Sequence, residues 1–193
     1  MPEGPSGLEQ ASSDALLTLP NLITFARLCA VPLAVWLVIE HRLGSAFVLF
    51  VTAGVSDAID GWLARRMGGG TSVGALLDPV ADKALLVTMY VTLARVGEVP
   101  AWLAILVVFR DLVIVGGVIV LTLLGRTVVI QPLFVSKVNT ALQIVLVALT
   151  LFLAGFGARG AVVAFGLAML TWAVGASTLA SGAAYVWRTA RQP

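Results

Sequence analysis

Long apolar stretches alternate with short polar breaks along almost the whole chain. With a window of about 19 residues, this pattern predicts six apolar helical segments, at 22–39, 44–63, 73–94, 101–124, 136–156 and 161–186. At about 1.5 Å per residue, each segment is long enough to cross a hydrocarbon core of about 30 Å as a helix. The pattern therefore predicts an all-α integral membrane protein with six transmembrane helices.

The first twenty residues differ from the rest of the chain because they are largely polar. Their last part, SSDALLTLP, predicts a short interfacial helix that ends near Pro20. No basic stretch followed by an apolar core is present there, so no signal peptide is expected. The predicted organisation is a polar or interfacial segment over 1–20 and one six-helix membrane domain over 21–193.

Composition strengthens the membrane prediction and removes several functional classes. The chain is 60% hydrophobic and 11% charged, whereas soluble domains carry about 25% charged residues. A net charge of +2 gives no reason to expect a nucleic-acid partner. The single cysteine, Cys29, cannot form an internal disulfide and has no partner for a zinc site.

The distribution of basic residues predicts the orientation of the chain. Lys and Arg are in excess on the cytoplasmic side of membrane proteins. One side of the predicted membrane domain carries the larger number of basic residues, with Lys137 close by. The opposite side carries Arg42, Arg95 and Arg159. The richer side holds Arg65, Arg66, Arg126, Arg188 and Arg191. Both termini are therefore expected in the cytoplasm.

Four of the ten acidic residues fall within one short stretch, 56–84, at the predicted cytoplasmic mouth. Asp57 and Asp60 are spaced i,i+3, and Asp78 and Asp82 are spaced i,i+4, so each pair shares one helix face. Two consecutive antiparallel helices would then present their carboxylates to each other. Like charges this close need cations between them. Because the cluster contains no His or Cys, magnesium, manganese or calcium fits it better than zinc.

Two other interpretations of these carboxylates exist. Each Asp alone could be solvated or paired with Arg65 or Lys83, but four at helix-face spacing are harder to explain this way. An ion-coupled transporter also uses intramembrane carboxylates. Against a transporter, the cluster lies at one membrane face, and the other helices offer only Asp111 as a matching acidic group.

The small and basic residues between the carboxylates suit a nucleotide diphosphate. Gly61 removes a side chain where a ligand could approach the backbone, and Ala64 keeps the same face clear. Arg65 supplies a cation with a planar fork for phosphate. Gly74 gives clearance on the facing helix.

Written out, the stretch reads D-x2-D-G-x2-A-R-x8-G-x3-D-x3-D, beginning at Asp57 and ending at Asp82. It resembles the motif of the CDP-alcohol phosphatidyltransferase family, with every motif position filled, and the six predicted spans agree with that family's six-helix membrane domain. The resemblance implies transfer of a phosphatidyl group from CDP-diacylglycerol to an alcohol with release of CMP. It also implies a homodimer in a bacterial cell membrane, with the active site on the cytoplasmic side.

The resemblance assigns roles to individual residues. Asp57, Asp60 and Asp78 would hold two Mg²⁺ or Mn²⁺ ions, and Asp82 would be both a metal ligand and the general base for the acceptor hydroxyl. The CDP site would be lined by Gly61, Ala64, Arg65, Thr71 and Gly74.

The acceptor is predicted from the stretches LPNLITFARL, LLDPVADKALL, FRDLVIVGG and SKVNTALQ, which look most like CMP-forming cardiolipin synthases. Relatives that make phosphatidylglycerophosphate usually carry Arg-Glu and a GKxKT-like stretch where this chain has Arg110-Asp111 and SKVNT. Arg110 and Lys137 are the candidate acceptor-binding residues. The expected acceptor is phosphatidylglycerol, and glycerol 3-phosphate is the alternative.

Overall fold

The structure, a computed structural model, describes residues 19–67, 72–123, 134–157 and 160–190. These residues form six α-helices joined by short connections. In chain order the helices are α1 (Leu19–Ile39), α2 (Leu43–Met67), α3 (Ser72–Arg95), α4 (Ala101–Leu123), α5 (Phe134–Gly155) and α6 (Ala161–Ala190).

Each of the six predicted segments is a helix, and most of the predicted ends agree within three residues. The largest differences are at the ends of α2 and α6, which continue to Met67 and Ala190 rather than ending at 63 and 186. Both extensions contain basic residues, among them Arg65 and Arg188. A search for apolar windows stops where the apolar residues stop, whereas a helical backbone continues into the polar region beyond them.

The helices form a closed bundle. Helix α1 packs on α2 and α3, and α2 packs on α5; α5 packs on α6, α6 on α4, and α4 on α3. A further contact between α3 and α5 crosses the middle of this ring. The two helices that carry the acidic motif are therefore both in contact with α5.

Contacts between individual residues fix the directions of the helices. The Cα of Gly44, at the start of α2, lies beside Gly155 at the end of α5, and the Phe47 and Phe152 rings are 5.3 Å apart, so α2 and α5 are antiparallel. Helix α4 runs in the same direction as α6, because Trp102 near its start packs on Trp172 and Ile114 further along it accepts a hydrogen bond from Tyr185 further along α6. The end of α2 and the beginning of α5 consequently lie at the same end of the bundle.

Apolar side chains fill the core of the bundle and also cover its outside, unlike in a water-soluble bundle. Several large apolar side chains cover the outside, including Ile105, Phe109 and Trp172, each more than 60% exposed. Buried polar side chains lie inside, at Thr92, Arg110, Asn139, Gln143, Thr150, Thr178 and Ser181. An apolar exterior of this size suits a bundle surrounded by lipid.

Within the described residues, two helical segments are long and apolar enough to cross a membrane, Phe134–Gly155 and Ala161–Trp187. Shorter apolar segments occur at Leu28–Ile39 and Leu43–Ile59. The all-α prediction is thus confirmed, while six transmembrane spans stay a prediction. The interfacial segment expected over 1–20 lies outside the described residues except for the first residues of α1.

Candidate functional site

A cavity of about 400 Å³ lies between α2, α3 and α5. Helix α2 lines it over residues 50–58, α3 over residues 83–86, and α5 over residues 140–148. Two charged residues of the lining, Asp57 and Lys83, lie toward the end of the bundle where α2 ends and α3 begins. The cavity therefore adjoins the stretch that carries the acidic motif.

The cavity has a charged end and an apolar remainder. Beyond Asp57, Lys83 and Thr140, its walls are aliphatic and aromatic side chains and glycine. Val55 on α2 and Ile144 on α5 line it while being 51% and 45% exposed, so it opens sideways between these two helices. Such a shape suits an amphipathic ligand with an ionic head and an apolar chain.

Asp111 on α4 joins two cations at the charged end. Lys83 Nζ donates to both carboxylate oxygens of Asp111 at 2.9 Å, and Arg110 Nη1 donates to Oδ1 at 2.7 Å. The side chain of Lys83 is 40% exposed and that of Asp111 12%. Two cations thus share one carboxylate, and Lys83, Arg110 and Asp111 together carry a net charge of +1.

Arg110 is buried at the junction of three helices. Its side chain is 4% exposed, and Nη2 donates to Ser136 Oγ on α5 and, at 2.7 Å, to Ser181 Oγ on α6. Among the described residues, none bonds to its Nε. Because a buried guanidinium needs its donors satisfied, these bonds tie α4 to α5 and α6.

A second polar group joins α5 to α6 one turn further along the bundle. Asn139 Oδ1 accepts hydrogen bonds from Ser177 Oγ at 2.7 Å and from Thr178 Oγ1 at 2.9 Å. Gln143 Nε2 donates to Thr178 Oγ1 at 3.4 Å, and Tyr90 Oη donates to the Gln143 carbonyl oxygen. These side chains hold α5 against its neighbours and do not line the cavity.

Comparison with known proteins identifies the family. The sequence profile described as CDP-alcohol phosphatidyltransferase matches residues 17–177, which is most of the chain and includes all five helices from α1 to α5. The chain belongs to the CDP-alcohol phosphatidyltransferase family. The family predicted from the motif over 57–82 is therefore confirmed.

Three relatives show how broad this phosphatidyltransferase similarity is. The chain is 33% identical over 92% of its length to a cardiolipin synthase (CMP-forming) / mitochondrial hydrolase fusion protein of Schizosaccharomyces pombe, and spans 32% of that protein. It is 33% identical over 69% of its length to the human cardiolipin synthase (CMP-forming), and spans half of it. It is also 35% identical over 91% of its length to a probable phosphatidylglycerophosphate synthase of Mycobacterium tuberculosis, and spans 83% of that protein. The relatives thus include both proteins named cardiolipin synthase and a protein named phosphatidylglycerophosphate synthase.

Of the four aspartates of the phosphatidyltransferase motif, Asp57 has a described side chain. It is half-buried and lines the cavity. Asp60 lies in the helical backbone of α2, and Asp78 and Asp82 lie in that of α3, as the spacing argument requires. Their side chains lie outside the described part, so the predicted metal cluster stays a prediction.

The predicted CDP-binding residues fall in the same part of the chain. Gly61, Ala64 and Arg65 lie within α2, and Gly74 lies within α3. Thr71 lies outside the described residues. The backbone placement at the ends of two helices that line one cavity is consistent with a shared site, and the contacts of these side chains stay predictions.

The two predicted acceptor-binding residues are in different surroundings. Arg110 is buried and bound to Asp111, Ser136 and Ser181. Lys137 follows Ser136 at the start of α5 and is exposed. The structure therefore places both near the same end of the bundle, but does not show them converging on one point.

Two residues of the site were missed or underused in reasoning from the sequence. Lys83 was considered only as a partner for the acidic cluster, whereas it pairs with Asp111 on α4. Ser181 on α6 is not among the residues predicted for the site. Its signal was the small polar series Ser177, Thr178 and Ser181 at helix-face spacing within an apolar helix, which indicates a polar helix–helix contact.

Proposed function

We propose that the chain transfers a phosphatidyl group from CDP-diacylglycerol to phosphatidylglycerol, giving cardiolipin and CMP. The observation that carries the choice of acceptor is the cavity between α2, α3 and α5, which has a charged end and apolar walls and opens sideways between α2 and α5. A small soluble dianion needs several cations facing water, whereas a lipid needs few cations and an apolar path. The cavity suits the lipid.

The family motif supplies the donor site of this proposal. Asp57, Asp60, Asp78 and Asp82 form a donor set of carboxylates alone, which fits two hard divalent cations, Mg²⁺ or Mn²⁺. When bound, such ions would neutralise the diphosphate of CDP-diacylglycerol and stabilise the CMP leaving group. Asp57 is the ligand candidate whose side chain is seen at the cavity.

The protein groups around the diphosphate have separate tasks in the proposal. Arg65 binds phosphate oxygens, and Gly61, Ala64 and Gly74 leave room for the nucleotide, with Thr71 completing the site. These residues fix the donor so that the phosphorus bearing the diacylglycerol faces the acceptor. Positioning of this kind is the main contribution that a protein makes to phosphoryl transfer.

Asp82 is proposed as the general base. Its carboxylate takes the proton from a glycerol hydroxyl of the acceptor, and that oxygen attacks the phosphorus that carries the diacylglycerol. A new phosphorus–oxygen bond forms, and the bond between this phosphorus and the bridging oxygen breaks, so that oxygen leaves with CMP. Burial and neighbouring carboxylates are the general means by which such a base acquires sufficient basicity.

Arg110 and Lys137 are proposed to supply positive charge for the acceptor. Lys137 is exposed at the beginning of α5, where it can approach a headgroup directly. Arg110 contributes its charge indirectly and does not contact the acceptor, because its guanidinium is buried among Asp111, Ser136 and Ser181. Removal of Lys137 should therefore raise the KM for the acceptor more than the KM for CDP-diacylglycerol.

Glycerol 3-phosphate is the second candidate acceptor. It is favoured by the similarity to the Mycobacterium tuberculosis protein, of which this chain spans 83%. The same donor site and the same base would then produce phosphatidylglycerophosphate.

We further propose that the protein is a homodimer in a bacterial inner membrane with its active site on the cytoplasmic side, where the basic residues are in excess.

The test is a reconstitution with purified protein. It is supplied with CDP-diacylglycerol, Mg²⁺ or Mn²⁺, and either phosphatidylglycerol or glycerol 3-phosphate, and CMP and lipid products are measured. The proposal requires cardiolipin from the first acceptor and little reaction with the second. Efficient formation of phosphatidylglycerophosphate would reassign the acceptor, and absence of CMP with either would reject the transferase assignment.

A further inference from the structure

We propose that Lys83 binds the phosphodiester of the acceptor lipid and that an acyl chain of the same lipid lies along the apolar walls between α2 and α5. The inference rests on the proposed function and extends it, because it assigns the cavity to the acceptor and adds a residue that selects it. Lys83 lies outside both the motif residues and the two acceptor residues considered above.

The charge balance around Asp111 makes Lys83 the cation that faces the cavity. Asp111 carries one negative charge between two cations, so one positive charge is in excess. Arg110 is 4% exposed and has two serine partners in addition to Asp111, whereas Lys83 is 40% exposed and lines the cavity. Of the two cations, Lys83 is therefore the one that faces the cavity, on the side opposite its contact with Asp111 at the end that also carries Asp57.

The ammonium group of Lys83 keeps capacity for a ligand. An ammonium has three N–H donors, and those of Lys83 point at the two Asp111 oxygens in the part of the chain that the structure describes. Counting the described residues alone, one N–H donor of Lys83 is left for a phosphate oxygen. Because Asp111 holds Nζ from two oxygens, the long side chain is already oriented, and less conformational entropy is lost when the lipid binds.

The position of Lys83 directly after Asp82, the proposed base, favours the acceptor over the donor as its ligand. Consecutive residues on a helix are offset by about 100° around its axis, so this cation and the proposed base occupy neighbouring positions on α3. The base must lie within hydrogen-bond distance of the acceptor hydroxyl. Only a three-carbon glycerol joins that hydroxyl to the phosphodiester of phosphatidylglycerol, so a cation beside the base is suited to the acceptor's phosphate.

The apolar walls are suited to an acyl chain that begins at this headgroup. From Asp57 to Phe50 the cavity follows α2 for seven residues, about 10 Å at 1.5 Å per residue. Its edges at Val55 and Ile144 are about half exposed, which lets a chain enter from the side. The charged end of the cavity thus matches the headgroup of one lipid molecule, and the apolar walls that follow it match the acyl chain.

Substitution of Lys83 tests the headgroup contact. Lys83→Met keeps the aliphatic stem and removes the charge, and loss of one charge-assisted hydrogen bond should raise the KM for phosphatidylglycerol roughly tenfold. The KM for CDP-diacylglycerol should change less than about twofold, since its diphosphate is held by the motif residues. Lys83→Arg should recover most of the affinity. Equal changes in both KM values would overturn the assignment to the acceptor.

Substitution of Gly54 tests the chain groove independently of charge. Gly54 lines the cavity, and a Cβ added there meets nothing within 4 Å, so Gly54→Leu starts a bulky side chain from an open position on the groove. Gly166→Leu on α6 is the matched control, because a Cβ there also meets nothing within 4 Å and Gly166 does not line the cavity. We expect Gly54→Leu to raise the KM for phosphatidylglycerol and Gly166→Leu to leave it unchanged. An unchanged KM in Gly54→Leu would reject the groove.

The outcomes separate this inference from the function on which it rests. Thermal unfolding first confirms that each variant is folded. If the wild type makes cardiolipin while Lys83→Met and Gly54→Leu keep the wild-type KM for phosphatidylglycerol, the inference fails and the function stands. If the wild type uses glycerol 3-phosphate and not phosphatidylglycerol, both are rejected.

Discussion

Neutralising Asp111 should destabilise the protein far more than neutralising its partner Lys83. Asp111→Asn removes the carboxylate that pairs with the guanidinium of Arg110, whose side chain is 4% exposed. Removal of one partner of a buried ion pair costs about 3–5 kcal/mol. Lys83→Met leaves Asp111 still bound to Arg110 at 2.7 Å and removes an ion pair whose lysine is 40% exposed, which is worth about 0–1 kcal/mol.

The measurement is thermal unfolding of the purified protein in detergent, followed by tryptophan fluorescence. For a chain of this size about 1 kcal/mol corresponds to roughly 2–4 °C, so Asp111→Asn should lower Tm by about 10 °C and Lys83→Met by a few degrees at most. The double variant Arg110→Met/Asp111→Asn should be more stable than Asp111→Asn alone, because it removes the buried charge as well. Equal Tm values for Asp111→Asn and Lys83→Met would refute the charge balance on which the Lys83 assignment depends.

Three further predictions follow from the fold and the motif. Gly155→Ala should lower the unfolding free energy by about 1–3 kcal/mol, since its Cβ would lie 2.6 Å from the Gly44 Cα, whereas Gly44→Ala, with its nearest neighbour at 3.6 Å, should be tolerated in the same unfolding assay. Asp57→Asn should lose most CMP release at low Mg²⁺ while Tm stays near the wild-type value; full activity would contradict its role as a metal ligand. Asp82→Asn should stay inactive at saturating Mg²⁺, and recovery to near wild-type turnover would leave Asp82 as a ligand only.

The sequence was sufficient for the helices because their apolar segments and polar breaks are local features. It was also sufficient for the family, since the motif residues occupy fixed positions within 26 residues. The contacts of Arg110 could not be predicted in this way. Ser181 lies 71 residues further along the chain, and its bond to Arg110 exists only because α4 and α6 pack side by side in the same direction.

The polar residues of α5 show the same difference between a pattern and a contact. Asn139, Thr140 and Gln143 occur at helix-face spacing, a pattern that by itself predicts one shared polar lining. In the structure only Thr140 lines the cavity, whereas Asn139 and Gln143 turn toward Thr178 on α6. Spacing fixes which residues share a face, but the packing of the neighbouring helix determines whether that face meets a ligand or another helix.

The central claim concerns the transferred group and its acceptor, and one measurement tests both. Purified wild-type protein in vesicles of CDP-diacylglycerol and phosphatidylglycerol is given Mg²⁺ and an equal total amount of glycerol 3-phosphate in the buffer, and CMP and lipid products are quantified together. The account predicts one CMP per cardiolipin formed, with phosphatidylglycerophosphate a minor product. Phosphatidylglycerophosphate as the main product would contradict it.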